Sequence, residues 1–114
     1  DAAERRYLPN PVPNLRPVAA LKARVYLRQG NLAAAAAWVA ACGIAATDDL
    51  SYRREFEHII LARVLLARSR REHVAGDLHD ALDLLTRLLA AAEAGGRIGS
   101  QIEILLLQAL ALPA

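Results

Sequence analysis

A spaced repeat of short motifs constrains the fold of this sequence more than any other feature. The segment GNLAAAAAW begins at Gly30, and GDLHDALDL begins at Gly76, 46 residues later. Upstream, ARVYL at Ala23 returns as ARVLL at Ala62, 39 residues later. The two offsets differ by seven residues, about two helical turns, so the insertion lengthens a helix and nearly preserves its buried face. The repeat therefore predicts two similar helical units.

Small residues at matching places indicate how the helices of each unit pair. Ala23 and Ala35 in the first unit match Ala62 and Ala81 in the second. A two-helix unit with small residues at fixed positions is typical of tetratricopeptide-type repeats. Alanine is the best helix former, and its small side chain lets a neighbouring helix approach closely. We therefore expect the run at residues 33–37 to be a packed helix and not a flexible linker.

The beginning of the chain differs in organisation from the rest. Four prolines between residues 9 and 17 predict an extended lead-in over residues 1–14, since proline has no backbone N–H and favours extended geometry in the preceding residue. Residues 15–114 then form a single helical-repeat domain. Its units cover about residues 15–43 and 51–95, and a partial unit covers residues 98–112.

Hydrophobic spacing and helix-ending residues predict about five helices in this domain. Apolar residues recur at every third or fourth position, and no alternating pattern indicates a strand. Gly30, Gly43 and Gly95 supply helix ends, and SQIE at residues 100–103 has the pattern of a capping box. The first three expected helices run from about Leu15 to Gln29, from Leu32 to Ala41 and from Ser51 to His73. The fourth is capped by Asp77 and ends at about Ala94, and the fifth runs from Ser100 to about Leu112. The predicted fold is all-α, a short right-handed tetratricopeptide-like superhelix of antiparallel helix pairs.

Composition and charge argue against several classes of function. A net charge of +2 is too small to indicate nucleic-acid binding, and no basic stripe with interleaved aromatic residues occurs. No apolar run approaches the roughly 18 residues that span a bilayer, and no signal peptide opens the chain. Cys42 is the only cysteine, so no internal disulfide can form, which fits a cytoplasmic protein. We interpret Cys42 as a packed thiol, because its local sequence is apolar and offers no neighbouring His or acid.

The pattern of polar residues does not favour catalysis or metal binding. His58, His73 and His79 lack the i,i+4 spacing of a helical metal-binding pair, so we interpret them as surface or helix-end residues. Ser69, His73 and Asp77 contain the residue types of a catalytic triad, but no nucleophile elbow or oxyanion-hole signature accompanies them. We expect no enzyme activity, no cofactor and no metal.

Two arginines at equivalent positions are the main candidate binding residues. Arg24 and Arg63 occupy matching places on the first helix of each unit, and that helix lines the concave face of such solenoids. Guanidinium groups there can hold an anionic or hydroxyl-rich ligand, or the acidic side chains of a partner. The structural alternative is that these arginines pair with Glu57 or Glu103. The candidate contact residues on the concave face are Arg24, Arg28, Arg63, Glu103 and Gln108.

The last helix has a broad apolar face and only a narrow polar edge. The residues of this face are Ile98, Ile102, Leu105, Leu106, Ala109, Leu110 and Leu112. Such a helix expects neighbours on two sides, of which the preceding unit supplies one. We expect the other side to attract a second copy of the chain through a two-fold contact, with Leu107 and Leu110 as candidate residues.

The second half of the chain resembles a known family. LSYRREFEHIILARVLLA, followed by GDLHDALDLLTRLLAAAEAGGRIGSQIEILLLQALAL, is similar to the C-terminal helical-repeat region of large ATP-binding LuxR-type transcriptional regulators, the MalT-like family. The resemblance covers about Leu50 to Leu112. ARSRREHVAGD replaces the short turn that follows the first helix in the family, which alters the shape of the groove.

The resemblance implies an effector-sensing or interaction scaffold. In these regulators the repeats lie between a nucleoside-triphosphatase module and a helix-turn-helix, and this chain contains neither a Walker-type motif nor a recognition helix. Its implied partners are a small-molecule inducer and the other domains of the regulator. The alternative is a generic module that binds a protein or peptide in its concave groove. The chain lacks an initiator Met, so we expect it to be a piece of a longer protein.

Overall fold

The computed structural model describes residues 18–111, which form two helix pairs followed by a fifth helix. The helices are α1 (Val18–Arg28), α2 (Leu32–Cys42), α3 (Glu55–Glu72), α4 (Asp77–Ala94) and α5 (Ile98–Ala111). No strand occurs within the described residues, so the all-α prediction with five helices is confirmed. The proline-rich lead-in expected at residues 1–14, and the start of the first helix at Leu15, lie outside the described residues.

Glycine and asparagine build the tight connection between α1 and α2. Gly30 has φ 74°, in the left-handed region where a side chain would clash with the backbone. The Asn31 side chain then accepts a hydrogen bond from the Ala34 backbone N–H at 3.1 Å and caps α2. Because the connection is so short and the helices are in contact, α1 and α2 lie antiparallel.

Fully buried alanines sit where the helices approach one another. Ala23 and Ala35 belong to a cluster shared by α1, α2 and α3. Ala62 and Ala81 belong to a second cluster that joins α3, α4 and α5. All four alanines are 0% exposed, so the small-residue register of the repeat is confirmed and the alanine run is a packed helix.

The third helix is shorter at its start than the sequence predicts. Ser51 is extended, and a single 3-10 turn over Tyr52–Arg54 precedes Glu55, the first residue of α3. The helix ends at Glu72, and His73 adopts the left-handed conformation with φ 53°. This helix touches every other helix, so it forms the centre of the fold.

Two side chains assigned to helix capping instead make tertiary contacts. Asp77 is the first residue of α4 and not its cap, since Gly76 occupies the cap position. The Asp77 carboxylate accepts hydrogen bonds from Arg68 Nε at 2.6 Å and Nη2 at 2.9 Å. Ser100 lies inside the first turn of α5, where its hydroxyl donates to Glu55 at 2.8 Å. Partners on the neighbouring helix α3 therefore replaced the local caps.

The last helix packs through one side only. Ile104 and Leu107 are buried in the cluster that joins α3, α4 and α5. The opposite side carries a row of large apolar side chains that lie within about 140° of one another at 3.6 residues per turn. These exposed residues, the α5 apolar face, are Ile98, Ile102, Leu105, Leu106 and Leu110.

Candidate functional site

The first helices of the three units line one groove that opens to solvent and has a volume of about 390 Å³. We name it the arginine groove. Its lining residues are Arg24, Leu27 and Arg28 from α1, Arg63, Leu66, Ala67, Arg70 and Arg71 from α3, and Leu107 and Leu110 from α5. The central helix α3 contacts both α1 and α5, which do not contact each other. The groove is therefore a concave surface that spans three helices.

Most of the arginines that line the groove, which we call its rim, have no carboxylate partner among the described residues. Arg63 is paired, since its Nη2 and Nε donate to Glu103 Oε2 at 3.0 Å and 3.3 Å. Arg71 Nη1 donates to the Gly30 carbonyl at 2.7 Å. The other three rim arginines, Arg24, Arg28 and Arg70, have no carboxylate partner among residues 18–111. An anionic group entering the groove therefore meets guanidinium groups that are free to bind it.

One donor at the groove is both buried and unpaired. Arg24 Nε has no hydrogen-bond partner among the described residues and is shielded from solvent. A buried donor left without a partner costs about 1–3 kcal/mol. Because this atom is already shielded, an occupant reaches it only if the Arg24 side chain moves, so the unpaired donor does not by itself favour occupancy.

The structure places three of the expected contact residues along this groove. Arg24, Arg28 and Arg63 all line it, from two different helices. Glu103 does not line the groove. Its carboxylate pairs with Arg63, as the structural alternative predicted. Gln108 is half-buried and is not a lining residue.

Sequence reasoning missed two arginines of the rim. Arg70 and Arg71 lie in the seven-residue extension that distinguishes the second unit from the first. The available signal was the i,i+7 spacing from Arg63 to Arg70, which places both side chains on nearly the same face of a helix. The extension therefore added positive charge to the concave side.

Leu107 takes a different place from the one expected. It was a candidate residue for self-association, but it is 3% exposed and packs in the core. Since its side chain is buried against α3 and α4, Leu107 is not part of the outer surface of α5. Leu110 is 54% exposed and belongs to the α5 apolar face.

A second polar cluster surrounds Cys42, which has an acid beside it, contrary to the sequence interpretation. The Cys42 thiol donates to Glu57 Oε2 at 3.0 Å, and Arg54 Nε donates to Glu57 Oε1 at 2.9 Å. Burial would raise the pKa of Glu57, but the hydrogen bonds from Arg54 and Cys42 outweigh it and lower that pKa. Burial and the contact with Glu57 raise the pKa of the Cys42 thiol, so the thiol is not activated.

The same cluster continues through His58, which is buried and not at the surface as expected. His58 Nδ1 lies 3.1 Å from the Arg54 carbonyl oxygen, and Nε2 lies 3.2 Å from Asp48 Oδ2. A hydrogen bond from the Ala45 N–H, followed by the contact with His58, lowers the pKa of Asp48. Arg87 donates to the Asp48 carbonyl at 2.9 Å. These groups satisfy one another, so the cluster fastens the loop between α2 and α3.

The remaining candidates for chemistry lie apart or are already paired. Among residues 18–111, no group of three His, Cys, Asp or Glu side chains is arranged to hold a metal ion. Asp77 pairs with Arg68, while His73 is exposed at the end of α3, so these residues do not form a triad with Ser69. Within the same range, no helix is both long and apolar enough to cross a bilayer.

Paired helices with buried small residues, and a concave surface lined by the first helix of each unit, define a tetratricopeptide-like helical repeat. The family model of the MalT-like TPR region matches residues 1–114, and the chain belongs to that family. Searches of curated proteins and of solved structures returned no significant match.

Proposed function

We propose that this chain is the non-catalytic interaction segment of a cytoplasmic MalT-like transcriptional regulator, and that the arginine groove is its receiving surface. The family match supports a helical repeat module associated with such a regulator. The observation that carries the proposal is the placement of Arg24, Arg28 and Arg70 on a concave surface, with no carboxylate partner among residues 18–111. Guanidinium groups that are not held by such a partner are available for recognition.

The shape of the groove bears on the kind of occupant. A small-molecule inducer, which the resemblance implied, is normally held in a closed pocket that buries most of its surface. The arginine groove is open to solvent, and both arginines and leucines line it. This arrangement favours a segment of a protein partner, or of another domain of the regulator, over an enclosed small molecule.

Binding of an occupant in the groove affects how the first and last helical units are arranged relative to each other. The helices α1 and α5 do not touch each other, and both contribute side chains to the groove. An occupant that contacts both helices stabilises one relative position of the first and last units. Such differential binding shifts the equilibrium between resting and active forms of a regulator.

Substitution of the groove arginines in the regulator tests this proposal. Arg28→Gln combined with Arg70→Gln removes two guanidinium groups that have no carboxylate partner among the described residues, and we expect at least a tenfold loss of response in a reporter of regulator activity. Arg53→Gln is the matched control, because Arg53 is exposed and does not line the groove. An unchanged response in the double variant, at an equal protein level, would show that the groove does not receive the signal.

The α5 apolar face supports a second proposed role in assembly. Five large apolar side chains, including Ile102, Leu106 and Leu110, are each more than half exposed on this single helix. The charged residue of α5 in the described range, Glu103, is held by Arg63 and leaves the face without charge repulsion. We propose that a second copy of the chain covers this face through a two-fold contact.

A further inference from the structure

We infer that the occupant of the arginine groove is an acidic amphipathic α-helix from a protein partner. This inference rests on the proposed function and adds the chemistry of the partner. The rim carries five arginines, and among the described residues only Arg63 has a carboxylate partner. Five of the 14 Lys and Arg residues of the chain therefore line one concave surface. We therefore expect the partner to carry negative charge where it meets these arginines.

The spacing of the arginines fits an extended acidic surface. Arg63 and Arg70 stand seven residues apart on α3, about 10 Å along the helix axis at 1.5 Å per residue. Arg24 and Arg28 stand four residues apart on α1, about 6 Å along its axis. Acidic side chains at positions i, i+4 and i+7 of a partner helix repeat at the same distances. A compact anion such as phosphate would contact only one end of this row.

The lining of the groove is partly apolar, so an occupant needs apolar side chains as well as charge. Leu27, Leu66, Ala67 and Leu110 form this apolar strip. A helix with leucines next to its acidic residues fills this strip, as in other complexes where a helix lies in a groove. A free multivalent anion would leave the strip exposed to water.

The lining also argues against a single-stranded nucleic acid as the occupant. Nucleic-acid grooves of this kind pair positive charge with aromatic side chains on which bases stack. None of the described residues that line the arginine groove is aromatic. The combination of arginine and leucine therefore points to a peptide.

Binding of a designed helix to the 114-residue chain tests the inference. The probe is a fluorescein-labelled peptide with Glu at positions i, i+4 and i+7 and Leu on the adjoining face. Its control is a scrambled peptide of equal composition. We expect the amphipathic peptide to bind at least tenfold more tightly than the scrambled one, with an affinity that falls as salt rises. Fluorescence anisotropy measures both affinities.

Variants of the chain locate the binding surface. Arg28→Gln combined with Arg70→Gln should weaken binding of the amphipathic peptide at least tenfold, while Arg28→Lys with Arg70→Lys should retain most of it. Arg53→Gln should bind as the wild type does. Circular dichroism of each variant checks that the helices are intact, so a loss of binding reports the lost charge.

Three outcomes would overturn the inference. The first is no binding of the amphipathic peptide, and the second is equal affinity for the scrambled peptide. The third is displacement by inorganic phosphate or by an RNA oligonucleotide at lower concentration than by unlabelled peptide. If peptide binding fails while the groove variants still abolish the reporter response, the proposed function stands and only the acidic helix is wrong. If the peptide binds and the reporter is indifferent, the proposed function is wrong.

Discussion

At the scale of single residues, arginine performs different tasks according to the carboxylates within its reach. Arg97 donates to the buried Glu55 carboxylate through Nη2 at 2.6 Å and Nε at 2.9 Å, and the hydrogen bonds to Glu55 raise the pKa of Arg97. Arg68 is held in the same way by Asp77. Arg28 and Arg70 have no such partner among the described residues and face the groove. Pairing therefore separates structural arginines from those free to bind.

Close packing of α2 against α1 and α3 depends on the small side chain of Ala35. Replacement of Ala35, which is 0% exposed, by Leu inserts three carbon atoms between α1, α2 and α3. We expect overpacking to lower the free energy of unfolding by about 1–3 kcal/mol. Thermal melting followed by circular dichroism measures the change. Ala37→Leu, at an exposed place on the same helix, is the control and should melt close to the wild type.

An equal melting temperature for Ala35→Leu and the wild type would contradict this packing. The side chain at position 35 would then point to solvent, and the match between Ala35 and Ala81 would not reflect equivalent helix contacts. The register of the repeat would need to be moved.

At the scale of helices, a buried ion pair joins the end of α3 to the start of α4. Asp77 is 4% exposed, and both of its carboxylate oxygens accept hydrogen bonds from Arg68. The connection between the helices is three exposed residues and Gly76, which has φ 86°. Since these residues bury little surface, the ion pair is the main polar contact that orients the two helices here.

Removal of this carboxylate should weaken the second unit. We expect Asp77→Ala to lower the free energy of unfolding by about 1–2 kcal/mol, because the bidentate hydrogen bonds are lost while the partly exposed Arg68 regains water. Urea denaturation measures the effect. Asp80→Ala removes an exposed acid from the same helical turn, so both variants lose a charge near the amino end of α4. If the two variants lose the same free energy of unfolding, the effect comes from the helix dipole and not from the ion pair with Arg68.

At the scale of the whole molecule, the two sides of α5 differ most in what covers them. One side is sealed in the core by Ile104 and Leu107. The other, the α5 apolar face, exposes Leu106 by 61% and Ile98 by 63%. Burial of this surface contributes roughly 25 cal/mol per Å² of apolar area, which favours its contact with another apolar surface.

Sedimentation velocity tests the proposed self-association. We expect the wild-type chain to form dimers as its concentration rises, and Ile102→Glu with Leu106→Glu to remain monomeric, because two charges would be buried without partners. Ala90→Glu, at an exposed place on α4, is the control and should dimerise normally. Leu107→Glu is unsuitable, since it would disrupt the core. A wild-type chain that stays monomeric at high concentration would rule out the two-fold contact.

The sequence by itself determined the helices, their pairing and part of the site. Helix formation depends on near neighbours, so the apolar spacing, Gly30 and Asn31 were sufficient to place α1 and α2. The repeat predicted buried contacts for Ala35 and Ala81, because the two helices pack closely against each other in both units. It also placed Arg24 and Arg63 on equivalent helices, which both line the groove.

Only the tertiary structure decided which side of each helix is covered and which polar groups meet. Periodicity described α5 as apolar almost all round, and contact with α3 and α4 then selected Leu107 for the core and left Leu106 outside. Asp77 and Ser100 carried local capping signals, but a guanidinium and a carboxylate on the neighbouring helix α3 outcompeted them. His58 became buried because the loop that contains Asp48 folds onto it. Such contacts join different elements of the fold, and their energies depend on distance and burial that no local pattern encodes.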